Sequence, residues 1–414
     1  MRLLPLLALL PLVFPFAAGE ELEATLPDHE EGYQHVERFI KILEEVRSHH
    51  PDAEKLSYER LINHALEGML DSLDPFSAFY HPETVQSFDP EAPESEPQFT
   101  VASLGITLGK RDSELYFARV REGSPAALAG FLNGDVLRKK DGKELPTLEL
   151  PTTTKALNGP PGQEVTLTVF RKNIRREFTA SLLHSVVKQE ALPDAFLLEN
   201  TGGQKIGYAR LAEFTALAPQ ELESALDELE DKGLQSLILD LRGNPGGLLQ
   251  ASVKILGLFL PPNTEVVTTQ GRSPLAQTPP LKTPDRQRVK REYPLVVLID
   301  RNSASASELV AGALQDLKRA TIVGEKSYGK GSVQNINGRD GGTALRLTFA
   351  TYHTPSGKTP HLVGVSPDLS IEIQENDLLN FEKFKIRKNA SPEVISLLDT
   401  WVDPTLKAAI ETLQ

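Results

Sequence analysis

Cysteine is absent from all 414 residues. That excludes disulfides, thiolate nucleophiles, thiol-anchored lipids and every sulfur-ligated metal site. It leaves the compartment open, because a secreted domain with a large core needs no disulfide. Basic charge is in deficit: 44 Lys and Arg against 57 Asp and Glu give a net −13. A chain this acidic has no global attraction for phosphate backbones or anionic lipid, so no nucleic acid is expected as a partner. Metal patterns are missing too. The nine histidines are scattered, no H-E-x-x-H occurs, and His49-His50 before Pro51 reads as exposed. There is no internal repeat. What remains is globular in proportion, 40% hydrophobic and 24% charged, and of a length for two to three domains at roughly 150 residues each.

Long apolar runs are absent after the first segment. Arg2 is followed by an apolar stretch from Leu3 to Phe16, then by Ala17, Ala18 and Gly19, then by acidic Glu20, Glu21 and Glu23. This is the order of a secretory signal peptide. The competing reading is a retained anchor, but spanning a bilayer takes about 20 apolar residues, and Pro5, Pro11 and Pro15 interrupt a shorter run. Residues 1–19 are therefore expected to be a signal peptide cut near Ala18 or Gly19. The mature protein is expected to be exported, to a bacterial periplasm or cell envelope, without stable membrane insertion.

Hydrophobic spacing divides the rest. From 20 to 88 the pattern is helical: Val36, Phe39, Ile40, Leu43 and Val46 recur at three and four residues, and Leu61, Leu66, Met69 and Leu70 repeat it. These amphipathic faces suit either the main domain or a dimer mate. An acidic, proline-rich stretch at 89–99 reads as a linker. Residues 100–187 are strand-rich, with alternation at Leu115–Val120 and Val165–Phe170. Between those strands lies Gly123-Ser-Pro-Ala-Ala-Leu-Ala-Gly130, a short helix with Ser124 as N-cap, Pro125 in the first turn and Gly130 as stop. From 188 to 375 buried strands (Lys205–Leu211, Leu234–Leu241, Pro294–Ile299, Thr321–Val323) alternate with helices, and Thr343–Tyr352 alternates as a strand. That is an α/β core. The Arg272–Arg291 stretch reads as a solvated loop, and 376–414 as a helical tail.

The most unusual composition is Asp300-Arg-Asn-Ser-Ala-Ser-Ala-Ser-Glu308, where a buried strand gives way to a helix. A serine there is exposed at a rigid sheet edge, with free helix N–H groups beside it for an oxyanion. On spacing alone the plainer account, in which Ser303, Ser305 and Ser307 are caps, fits better. A nucleophile also needs a base. His353 and His361 are candidates for a Ser–His arrangement. Lys330, between Gly329 and Gly331, is another. A lysine acting near neutral pH must fall from about 10.4 to roughly 7–8, about 4 kcal/mol against the charged form, which burial can supply. Ser327-Tyr-Gly-Lys330 and Ser185-Val-Val-Lys188 also spell S-x-x-K, but the S-D-N and K-T-G companions of that motif are missing.

Residues 100–187 resemble a PDZ domain of the bacterial protease type, with Ser103-Leu104-Gly105-Ile106 at the loop whose backbone receives a peptide's terminal carboxylate. With that region, Leu237-Ile-Leu-Asp-Leu-Arg-Gly-Asn-Pro-Gly-Gly247, Ser303-Ala-Ser-Ala-Ser-Glu308 and Tyr328-Gly-Lys-Gly-Ser-Val-Gln334 stand in the order of the carboxyl-terminal processing (tail-specific) proteases. Tyr352-His-Thr-Pro-Ser-Gly357, Gly364-Val-Ser-Pro-Asp368 and Gly68-Met-Leu-Asp-Ser-Leu-Asp-Pro75 extend the resemblance. It implies an α/β multidomain protein: an N-terminal helical region, a PDZ-like β-rich domain, and an α/β serine-peptidase core with a helical C-terminal tail. It also implies Ser305 as nucleophile, Lys330 as base, Gln334 orienting the amine, and the amides of Ala306 and Gly247 as oxyanion hole. Leu104, Gly105 and Ile106 would bind peptide. Neither cofactor nor metal is implied. The expected partners are proteins with free, apolar C-termini, with a homodimer as a further expectation. The rival from another class is a PDZ scaffold with a silent core. One departure is visible: the family's usual Asp-Pro-His-Ser is here Asp74-Pro75-Phe76-Ser77. Its distance in sequence from Ser305 and Lys330 reads as a packing change.

Overall fold

The computed structural model describes residues 29–82, Val85 and 100–414, apart from 112–113, 146–149, 173, 188–189, 200–201, 273, 277, 287, 289, 339 and 390–391. The expected signal peptide, the acidic linker and Lys188 lie outside the described residues. Two compact units divide the chain between Gly68 and Met69. In the first, helix α1 (His29–His49) is followed by α2 (Tyr58–Asp71), which runs on into the second unit. The Arg47 guanidinium joins them, donating from Nε to the Leu56 carbonyl at 3.0 Å and lying 3.5 Å from the Tyr58 ring centroid. Tyr33, Val36, Phe39, Ile40, Ile42 and Val46 of α1 are exposed.

Helix does not continue to residue 88 as the spacing predicts. Ala78–Tyr80 is a strand, β1, antiparallel to Ala344–His353, strand β17. The cause is local. The Asp74 carboxylate accepts the amides of Phe76 and Ser77, each at 2.7 Å. That turn reverses the chain where Pro75 stands, and aromatic residues follow that suit a sheet.

The PDZ-like region is a seven-stranded antiparallel sheet. Its strands are β2 (Thr100–Val101), β3 (Ile106–Arg111), β4 (Glu114–Val120), β5 (Val136–Lys140), β6 (Lys143–Glu144), β7 (Glu164–Arg171) and β8 (Arg176–Leu183), ordered β2-β3-β4-β5-β7-β8 with β6 on β5. Helix α3 (Pro125–Leu128) begins as its sequence dictates, with Ser124 Oγ accepting the Ala127 amide. Helix α4 (Leu150–Leu157) packs on β2 and β3. Leu104, Ile106, Phe117, Phe131 and Leu167 fill the core beneath.

The second layer carries the chemistry. Strand β9 (Asp194–Glu199) runs antiparallel to β10 (Lys205–Arg210), and β10, β11 (Ser236–Asp240), β14 (Leu295–Ile299), β15 (Thr321–Gly324) and β18 (Leu369–Ser370) form a parallel sheet in the order β18-β15-β14-β11-β10-β9. Both faces are covered, which is why its strands are continuously apolar. Leu237, Leu239, Val297, Ile299 and Ile322 face a core shared with helices α5 (Ala218–Asp231), α6 (Leu249–Leu256) and α7 (Ala306–Asp316). The alternate residues Ile238, Val296, Leu298 and Val323 pack with Ala409 and Leu413. Those two belong to the last of three terminal helices, α8 (Glu375–Lys385), α9 (Pro392–Thr400) and α10 (Pro404–Thr412), or to its cap. A third, antiparallel sheet joins β1, β17, β12 (Glu265–Gln270) and β13 (Leu281–Lys282), with β16 (Ser332–Gly338) on the other edge of β17. The Arg272–Arg291 stretch is not wholly solvated: Arg291 is buried and bonded to Asp227 and Glu230 of α5. No helix among the described residues is long and apolar enough to cross a membrane.

Candidate active site

In an open parallel sheet the crevice lies beyond the carboxyl ends of the strands. Three neighbours, β11, β14 and β15, end there, and the three sequence blocks singled out above follow directly from them. Asp300 ties two blocks together, its Oδ1 accepting the amides of Gly243 and Asn302 at 2.9 and 3.0 Å.

Of the three serines, two are structural. Ser303 is fully buried and donates to the Leu241 carbonyl at 2.8 Å, and Ser307, also fully buried, donates to the Asn244 carbonyl at 2.9 Å. Ser305 alone is partly exposed. It is the N-cap of α7 and has φ 57° and ψ −115°, a conformation that costs a non-glycine residue about 1–3 kcal/mol and is held only by its surroundings. Gly246 makes room for it: a Cβ on Gly246 would lie 2.7 Å from Ser305 Cβ and 2.8 Å from the Ala304 oxygen.

The residue that organises the site is Glu308, to which the sequence reading gave no role. Its carboxylate is fully buried and accepts four hydrogen bonds: from the amides of Ser305 (2.8 Å), Gly329 (2.6 Å) and Lys330 (2.8 Å), and from Ser327 Oγ (2.6 Å). Burial pushes the carboxyl up, and those donors pull it back toward the ionised form. A signal was present, since Ser305-x-x-Glu308 spells a capping box. Nothing in the sequence says that the same carboxylate reaches the lysine loop. Ser327 is spent on Glu308 and on the Val365 amide, which removes it as the serine of an S-x-x-K site.

Lys330 is displaced below the usual lysine range. Burial is the largest cause, the Arg346 charge adds to it, and Glu308 opposes. No hydrogen bond joins its amine to Ser305. Instead Ser305 Oγ and Tyr352 Oη lie 3.0 Å apart, and Tyr352 donates to the Lys330 carbonyl at 3.0 Å. A phenol has one proton, so Ser305 is the donor in the first bond. Burial pushes the Tyr352 phenol up to about 12, so it stays neutral. Gln334 donates to Ser332 Oγ (2.6 Å) and Thr348 Oγ1 (3.2 Å), beside the lysine loop and with no bond to the amine.

The Asn244-Pro-Gly-Gly247 turn is pinned by Asn244, whose Nδ2 donates to the Leu211 carbonyl while its Oδ1 accepts the Gly246 amide. Its carbonyl takes the Ala304 amide at 3.0 Å. Phe214 bonds to the carbonyl of Gly246 and the amide of Leu248. Among the described residues, the amides of Gly247 and Ala306 have no intramolecular acceptor, the condition for an oxyanion site.

Neither histidine weighed as a base is hydrogen-bonded to Ser305. His353 uses both ring nitrogens, on Thr351 Oγ1 and the Gly357 carbonyl, and His361 sits 5.9 Å from the Phe76 ring. Among the described residues no cluster of acidic or histidine side chains could hold a metal. Remoteness in sequence misleads at Phe76: its ring centroid lies 6.0 Å from Lys330 Nζ, so the departure from Asp-Pro-His-Ser faces the lysine and is no distant packing change. In the PDZ-like region Leu104 and Ile106 are core side chains. Gly105, at φ 69°, admits Ser124 where a Cβ would collide at 2.2 Å. The amides of Leu104 and Gly105 both donate to the Val101 carbonyl, so the loop expected to receive a carboxylate turns these two amides on itself. The described residues of β2, Thr100 and Val101, pair with Thr107 and Ile106 of β3.

Comparison with known proteins agrees with this geometry. Residues 205–371 match the model of peptidase family S41, and 102–182 that of the PDZ domain. The carboxy-terminal-processing protease of Bartonella bacilliformis is 35% identical over 380 residues, covering 86% of this chain and 82% of that protein. The carboxyl-terminal-processing protease of Synechocystis is 36% identical over 322 residues, 77% and 72% of the two chains. A solved photosystem II D1 C-terminal processing protease superposes with a TM-score of 0.61 at 25% identity, over 83% of this chain and 92% of that one. The chain belongs to peptidase family S41, among the carboxy-terminal processing proteases, and is a serine peptidase carrying a PDZ domain.

Proposed function

We propose that this chain is an exported endopeptidase that captures protein C-terminal tails through its PDZ domain and cuts them with Ser305 as nucleophile and Lys330 as base. The observation that carries the reading is the shared Glu308 carboxylate, which fixes the backbones of Ser305 and Lys330 together and leaves Ser305 as the one accessible serine of its block. Neutral Lys330 Nζ takes the Ser305 Oγ proton as Oγ bonds to the peptide carbonyl carbon, and the amides of Gly247 and Ala306 hold the oxyanion. The ammonium then protonates the leaving amine. Water, activated by the same lysine, attacks the ester and frees Ser305. Gln334 would turn toward the amine in the loaded site.

The resting arrangement favours a gated form of this reading. Ser305 directs its proton to Tyr352, not to Lys330, and the PDZ loop amides are turned inward. Peptide binding would then have to open both, with the peptide adding as an extra strand. Export to a periplasm or cell envelope rests on the order of residues 1–19, and a homodimer on the exposed apolar side chains of α1. Sedimentation showing only monomer at micromolar concentration removes the dimer. The central test is cleavage of an unstructured protein with an apolar tail, read by mass spectrometry. Ser305→Ala and Lys330→Ala should each abolish cleavage. A Lys330→Ala chain that still cuts makes the dyad wrong.

A further inference from the structure

We infer that the turn Asp74–Ser77 is a positioning element of the peptidase reaction, with Phe76 as the wall that keeps the Lys330 amine out of water. The inference rests on Lys330 acting as the base.

The turn is held from several sides at once. Besides the Phe76 and Ser77 amides, Asp74 accepts Ser77 Oγ at 2.9 Å and Thr348 Oγ1 at 3.3 Å, and these bonds, against the cost of burial, hold its carboxyl below the usual range. The Thr348 amide donates to Ser77 Oγ at 3.1 Å, and Arg346 Nε to the Phe76 carbonyl at 2.7 Å. Thr348 and Arg346 lie on β17, the strand that also carries Tyr352, and Thr348 Oγ1 is the group to which Gln334 donates. One strand thus registers the turn, the tyrosine beside Ser305 and the glutamine beside the lysine.

A benzene ring offers the amine no hydrogen bond. It attracts an ammonium through its π face, but only out to about 6 Å and by about 0.5–1 kcal/mol at ordinary sites. At 6.0 Å from the centroid that attraction is at the end of its reach, while displacement of water disfavours the charged form by more. The groups that also bear on the amine are Arg346, which expels the proton, and Glu308, which retains it. Neutral Tyr352 bonds to the Lys330 carbonyl, His361 lies against Phe76, and the Asp74 carboxylate is bonded to the turn and to Thr348. Of the neighbours identified around the amine, Phe76 is the apolar ring, and it is held by a turn with no reacting group of its own.

The test is the pH dependence of kcat/KM for the full chain and for Phe76→Leu, Phe76→Ala and Phe76→His. Water reaching the amine, or an imidazole hydrogen-bonding to it, raises the lysine pKa. The acid limb should therefore move to higher pH by about one unit in the Ala and His chains, roughly a tenfold loss concentrated on the acid side. Phe76→Leu, still apolar, should move it least. The same shifts should persist in a His361→Gln background. A second readout avoids turnover: in the Ser305→Ala chain, the pH midpoint for acetylation of Lys330, followed by peptide mass spectrometry, should rise when Phe76 becomes Ala. Uniformly lower activity with an unmoved limb and midpoint would leave Phe76 merely structural and overturn the inference. If instead Lys330→Ala remains active, the dyad itself fails, and that outcome is separately visible.

Discussion

Ser305 and Lys330 are each held in a state their own chemistry disfavours, one in backbone strain and one in a dry setting. The lysine has a measurable consequence for stability. Its folded pKa is depressed, so between the folded and the ordinary values the unfolded chain binds more protons than the folded one. Stability therefore rises with pH through that interval, and the penalty is complete below it. Lys330→Met should stabilise the fold by about 1 kcal/mol at neutral pH, with the gain shrinking as pH nears about 10. Denaturant titrations at pH 7 and 10 decide it, and a gain that does not depend on pH contradicts the sign. Glu308 acts in the opposite way, since four donors depend on it. Glu308→Gln keeps the shape but replaces one acceptor by a donor facing N–H groups. Cleavage should fall on the order of a hundredfold or more, and stability by about 1–3 kcal/mol. An active Glu308→Gln chain would mean that the two loops hold their geometry without the charge.

At the scale of elements, the parallel strands deliver the site and the C-terminal helices brace it from behind. Arg242 follows β11 in the same loop as the Asn244-Pro-Gly-Gly247 turn. It is buried, pairs with Asp240 and with Asp403, and stacks 4.1 Å from the Phe381 ring centroid of α8. Asp403 is also the N-cap of α10, accepting the Thr405 and Leu406 amides at 3.0 and 3.1 Å. Asp403→Ala removes a cap and half of a buried ion pair together, an expected loss of about 3–5 kcal/mol. Hydrogen exchange should quicken across Pro404–Thr412 before it quickens in β14. Unchanged protection of that helix would show that its apolar face on β14 and β15 suffices.

At the scale of the whole molecule, the PDZ-like region and the peptidase core are joined by charge in a buried place. Arg210, at the end of β10, is 1% exposed. It binds Glu122 of the PDZ-like region through both terminal nitrogens (2.7 and 2.6 Å) and Asp194 of β9 through Nε (2.7 Å). Burial alone would lower its pKa, and these carboxylates raise it instead. A second bridge, Arg119 to Glu213 at 3.0 Å, lies close by in sequence. Removing one partner of a buried pair typically costs about 3–5 kcal/mol. Arg210→Met should therefore split thermal unfolding into two transitions, with the PDZ-like region melting first. A single transition at the wild-type temperature would mean that the regions are coupled by other contacts.

Short-range physics made much of this protein readable from its residues. Periodicity and turn chemistry predict β10, β11, β14 and β15 of the parallel sheet and the helices between them, because continuous apolar runs at β11 and β14 fit only a sheet covered on both faces. The helix start at Ser124 and Pro125 is likewise local. Composition at Ser303–Glu308 and Gly329–Gly331 pointed to the candidate site, and the blocks in order marked the family. Three matters needed the tertiary structure. Periodicity extended the helix past Asp74, where a carboxylate and a pairing strand far along the chain made a turn and β1. The serines of the block are equivalent in spacing, and only burial separates Ser305 from Ser303 and Ser307. Phe76, Glu308 and Tyr352 come together around Lys330 through contacts between residues far apart in the chain. A sequence records the groups available for such contacts, but a shared carboxylate or a dry amine exists only once folding has removed the water between them.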